Sequence, residues 1–84
     1  MIPADYIFSG RKLRIAREKA GLSLWRASIF LARHKVRRSD EAIRQWELST
    51  SGRQPPARAF FLLMRLYDQP AEFFFVPPRR RIAG

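Results

Sequence analysis

Ser39-Asp40-Glu41-Ala42-Ile43-Arg44-Gln45-Trp46-Glu47 reads as a short helix with one apolar edge and one polar edge. Ser39 offers a hydroxyl that can accept from the backbone N–H of Ala42, and Asp40 and Glu41 set negative charge against the positive end of the helix dipole. Ala42, Ile43 and Trp46 share one face at 3.6-residue spacing. Asp40, Glu41, Arg44 and Gln45 are left for solvent or a ligand.

Working outward, Lys35, Arg37 and Arg38 precede this helix, and Ser49, Thr50, Ser51 and Arg53 follow it. Both flanks can therefore bond phosphates and fix register without reading sequence, although any one of these residues could equally belong to a solvated basic loop. The whole composition favours the first reading. Lysine and arginine number 17 against 7 acids in 84 residues, a formal charge of +10, and so strong a field on so small a body points to a polyanion. The length and a hydrophobic content of 46% fit a single domain spanning residues 1–84.

The same composition excludes other classes. The apolar run Phe60 to Leu66 is far short of the roughly 20 residues a membrane span needs. With no cysteine and one histidine, His34, the chain offers no metal site. It has no nucleophile beside a base, no phosphate-cradling glycine loop and no carboxylate cluster, so neither an enzyme nor a cofactor is expected. The N-terminus lacks a secretory pattern, and a cytoplasmic location is expected.

Along the chain, residues 1–8 form an arm expected to lie on the body. Ser9 caps a first helix to Ala20 with Leu13, Ala16 and Ala20 inside, Phe8 and Leu13 are spaced as a hydrophobic staple, and Gly21 ends the helix. Ser23 caps a second helix whose expected inner side is Trp25, Ser28, Ile29 and Ala32, with Arg26 and Arg33 outward. Because no glycine stands between Ala32 and Ser39, the second helix is expected to run on before a short loop. Pro55-Pro56 opens an apolar helix to Tyr67, and Pro70 opens a short one to Phe75. The core is then 9–75, with a basic tail over 76–84. Five helices and no strong strand pattern predict an all-α domain.

Arg17-x-x-x-Gly21-Leu22-Ser23, the Ala27-Ser28 pair, Ile43-x-x-Trp46-Glu47 and the turn Gly52-Arg53-Gln54-Pro55 resemble the lambda-repressor-like (Cro/CI, XRE) helix-turn-helix family over roughly residues 9–75. The later segments look closer to antitoxin DNA-binding domains and small phage autoregulators, including anti-CRISPR-associated repressors. The resemblance implies a structural ion pair between Arg17 and Glu47. Leu24 stands where the family commonly has glutamine, and the connection from Ala32 to Arg38 is longer than usual.

Read this way, Arg44 and Gln45 are the best base-readers, suited to guanine and adenine. Asp40 can accept from cytosine, while the simpler reading of Asp40 and Glu41 is that they cap the helix. Ser23, Arg26, Lys35, Arg37, Arg38, Ser39, Ser49, Thr50, Ser51 and Arg53 are the expected backbone contacts. Trp25 and Trp46 are expected in the core. Surplus apolar surface predicts a homodimer through Phe61, Met64, Phe73, Phe74, Phe75 and Val76, although Phe73 and Phe74 can equally dock on their own core. The expected function is a dimeric, sequence-specific repressor of duplex DNA. The alternative is an interaction module, an antitoxin or polymerase-binding phage protein, whose aromatic C-terminal surface binds another protein.

Overall fold

Three serines start three helices in the same way. In the computed structural model, which describes residues 1–50 and 53–78, the hydroxyls of Ser9, Ser23 and Ser39 accept from the N–H groups of Lys12, Arg26 and Ala42 at 3.2, 3.1 and 3.1 Å. The helices they open are α1 (Gly10–Lys19), α2 (Leu24–Arg33) and α3 (Asp40–Leu48). A fourth, α4 (Ala57–Tyr67), has Pro56 at its cap. Pro55, expected in its first turn, precedes the cap and is fully buried.

The end of the described chain is not the expected fifth α-helix. Ala71–Phe74 form a 3-10 turn, in which the Phe73 N–H donates to the Pro70 carbonyl at 3.0 Å. Phe75 and Val76 then form a strand, β2, antiparallel to β1 (Ile7–Phe8), with Ile7 opposite Val76 and Phe8 opposite Phe75. The five-helix, all-α expectation is thus corrected to a mostly helical domain that has, among the described residues, four α-helices, a 3-10 turn and a two-stranded sheet. Only four residues lie between Pro70 and the strand, enough for i→i+3 bonding but not for a continued α-helix.

Helix ends explain a second correction. α1 closes through Gly21 at φ +72°, with the Gly21 N–H on the Glu18 carbonyl and the Leu22 N–H on the Arg17 carbonyl. α2 closes by the same pair of hydrogen bonds: the N–H of Lys35, at φ 64°, donates to the Ala32 carbonyl at 3.0 Å and the Val36 N–H to the Leu31 carbonyl at 2.9 Å. Lysine therefore takes the left-handed role of glycine, and α2 stops at Arg33 instead of running on. Asp68, at φ 56°, ends α4 likewise.

The core is built from Leu13 and Ala16 of α1, Ala27 and Leu31 of α2, Ile43 of α3, and Leu62, Leu63 and Tyr67 of α4, with Phe8 and Phe74 from the arm and the turn. α3 packs against both α1 and α2, and α2 also packs against α4. The inner face of α2 is thus Ala27–Leu31, not the expected Trp25–Ile29–Ala32 face. Trp25 is 63% exposed, which corrects its placement in the core. Phe74 is likewise fully buried, in edge-to-face contact with Phe60 and Phe73 at ring separations of 5.3 Å. It belongs to the domain's own core and not to a dimer surface. Met64, Phe73, Phe75 and Val76 are half-buried, while Phe61 is exposed. Among the described residues no helix is long and apolar enough to cross a membrane.

Candidate functional site

The site is organised by what fixes the C-terminal end of α3. Glu47 lies on the inner side of that helix, two residues from the exposed Gln45, and its side chain is only 4% exposed. The Arg17 guanidinium grips it in two places, Nε to Oε2 at 2.7 Å and Nη2 to Oε1 at 3.1 Å. Its remaining arm donates to the Leu22 carbonyl at 2.9 Å. One side chain thus ties α1, the turn after it and α3 together, and the pair implied by the sequence resemblance is present. The hydrogen bond to Glu47 holds the Arg17 guanidinium above its ordinary range against the opposing cost of burial.

Gly10 makes this approach possible. A Cβ at that position would collide with the Trp46 carbonyl oxygen and lie 2.7 Å from that of Glu47. The first turn of α1 therefore sits directly on the last turn of α3.

At its other end, α3 is held by the connection from α2. The Ser28 hydroxyl donates to the Arg38 carbonyl at 2.7 Å. Lys35, Arg37 and Arg38 project from this connection as exposed residues. With both ends tied and Ile43 buried, the face carrying Asp40, Glu41, Arg44 and Gln45 is exposed.

On that face the acids have internal partners. Glu41 Oε1 accepts from Gln45 Nε2 at 3.1 Å and from Arg44 Nη1 at 3.5 Å. Asp40 accepts from the Glu41 N–H at 2.9 Å. The Arg44–Glu41 pair has half-exposed side chains on both sides, and such surface pairs contribute below about 1 kcal/mol. A ligand can displace it readily. Glu41 thus gathers the two expected readers, a role the capping argument did not foresee.

Beyond the C-terminal end of α3, Gln45, Ser49 and Arg53 line one open cleft of about 350 Å³. Ser49 and Thr50 line a neighbouring hollow together with Arg11. Arg11 is a residue that sequence reasoning missed. The available signal was the glycine beside it, whose close contact with α3 brings the start of α1 to this edge. The caps Ser23 and Ser39 use their oxygens within the helices and keep their O–H groups as donors. Arg26 is not gathered with the others, because it lines a groove between α2 and α4. Ser51 lies outside the described residues, as does the expected basic tail from Arg79 onward.

No protein-family model, curated protein or solved structure matches this chain. The case for a function therefore rests on this geometry and on the charge of the molecule.

Proposed function

We propose that this protein is a sequence-specific, duplex-DNA-binding regulator of the lambda-repressor-like helix-turn-helix type, a dimeric repressor that occupies a palindromic operator. The observation that carries the proposal is the exposed Arg44–Gln45 face of a helix held at both ends and approached by Lys35, Arg37 and Arg38. A helix of this size fits the major groove, where arginine pairs with guanine and glutamine with adenine. Arg37, Arg38, Arg53 and Arg11 then bond phosphates on either side and set register. Two half-sites about 34 Å apart would match a two-fold dimer. Exposed Phe61 and half-buried Met64, one turn apart on α4, supply its contact.

The test is selection of bound duplexes from a random pool, followed by titration of the winner and a scrambled duplex at several salt concentrations. Arg44→Ala is expected to cost about 1 to 3 kcal/mol on the selected site and little on the scrambled one. Arg38→Ala is expected to weaken both alike and to flatten the slope of log K against log salt by about 0.9. Equal loss on both duplexes for Arg44→Ala would remove the base-reading role. Failure to enrich any sequence would remove the proposal.

A further inference from the structure

Between α2 and α4 runs an apolar groove that the proposed DNA face does not use. Half-buried Leu22, Ile29, Phe30 and Leu66 form its floor, and Trp25, 63% exposed, stands at its edge. Two hollows of about 260 and 350 Å³ share Phe30 and Leu66 and so lie side by side along it. Arg26 and Arg33 line one hollow, Arg65 the other, and no acidic residue lines either.

At Phe30 the floor of the groove is turned away from the side of α2 that meets the connection to α3. Ser28 bonds the connection that leads into α3. Phe30 is two residues on, roughly 200° around the helix axis.

We infer that this groove docks an acidic amphipathic helix of a partner protein. The two adjacent hollows over an apolar floor match the apolar stripe of such a helix, whose side chains recur every three or four residues. The cationic rim matches carboxylates on its two edges. Tryptophan and arginine are also the residues that most often dominate protein interfaces. A second copy of this chain is a poor occupant, since the same unpaired-sign rim would face itself. Duplex DNA is a poor occupant too, because its phosphates gain nothing from an apolar floor. The groove borders the Phe61–Met64 patch, since Arg65 lines it and also lies over the Phe61 ring at 6.0 Å, whereas none of the exposed residues of α3 lines it.

The test uses the full chain, isotopically labelled, and a synthetic 18-residue peptide with leucines at i, i+4, i+7 and i+11 and glutamates beside them. Near-physiological salt limits general charge attraction. A scrambled peptide of identical composition is the control. Saturable amide shifts are expected at Leu22, Trp25, Phe30, Arg33 and Leu66, with the scrambled peptide at least tenfold weaker. Trp25→Ala and Arg33→Glu, both at exposed positions, are each expected to weaken binding tenfold or more while the rest of the spectrum stays folded.

Equal binding of the scrambled peptide, or shifts centred on α3, would reduce the effect to polyanion attraction and overturn the inference. So would an unchanged affinity in Trp25→Ala. Self-association through the groove without peptide, or larger groove shifts with a short DNA duplex than with the peptide, would assign it another occupant. These outcomes are independent of whether α3 reads DNA.

Discussion

Tyr67 buries its hydroxyl without a hydrogen-bond partner among the described residues, close enough to Glu47 and Arg17 to feel both charges. Desolvation pushes the phenol well above the ordinary tyrosine range, with Glu47 adding to the effect and Arg17 opposing it. The raised folded value means that Tyr67 imposes no pH penalty below the unfolded value of about 10. Above it, the unfolded chain ionises first, and stability falls by about 1.4 kcal/mol per pH unit until the folded value is reached. Tyr67→Phe is expected to leave stability at pH 7 within about 1 kcal/mol of the parent, since it removes an unpartnered buried group. At pH 11 the variant should gain on the parent by a further amount of about 1 kcal/mol. Urea unfolding at the two pH values measures both. Parallel losses in the two proteins would show that this phenol ionises freely. Single residues were the most legible level of the chain: Ser9, Ser23 and Ser39 cap where their chemistry says, and Arg17 meets Glu47.

Elements were less legible, for reasons that two helices illustrate. α1 ends at a glycine, which announces a left-handed residue, whereas α2 ends at Lys35, which does not. The closing bonds are the same in both, so the stop in α2 comes from tertiary fit: Val36 and Leu31 both pack at the core, and the Ser28 hydroxyl donates to the Arg38 carbonyl. A side chain at positive φ is strained, and glycine relieves that strain at some entropic cost. Lys35→Gly is expected to raise stability by about 0.5 to 1 kcal/mol, or a melting temperature about 4 °C higher. Calorimetry of the two proteins gives the answer, and a lower melting temperature would mean that the lysine side chain holds the connection. The face of α2 was misjudged because Leu24, Trp25, Ile29, Phe30 and Leu31 put large apolar residues on nearly every side of it, so periodicity alone does not select the buried pair Ala27 and Leu31. Arg26 consequently falls beside α4, away from the residues it was grouped with.

At the scale of the molecule, the arm and the last described turn close the core from outside the helices. Phe8 is 2% exposed and meets Phe60 and Phe75 edge-to-face at 5.7 and 6.0 Å. Phe8→Ala should therefore cost about 3 to 5 kcal/mol, a large share of what a domain of this size possesses. Chemical denaturation tests this; a loss below 1 kcal/mol would make the arm an ornament. The pairing that produces this closure joins residues nearly 70 positions apart, and two-residue strands carry no alternation to be recognised. That is why the sheet and the nearness of Arg11 to Thr50 escaped a reading that proceeds by local pattern, and why the burial of Phe74 stood there as one of two alternatives.

Gly10 has a consequence for how this molecule can vary. The first turn of a helix ordinarily tolerates most residues, yet here backbone of one helix rests on backbone of another with no room for a methyl group between them. In a library randomised at positions 10, 11 and 14 and sorted for folded protein, position 10 should return glycine while its neighbours diversify. Such a joint also has no side chain to repack, so the last turn of α3 cannot drift toward α1, and whatever ligand meets this end of α3 meets a fixed surface.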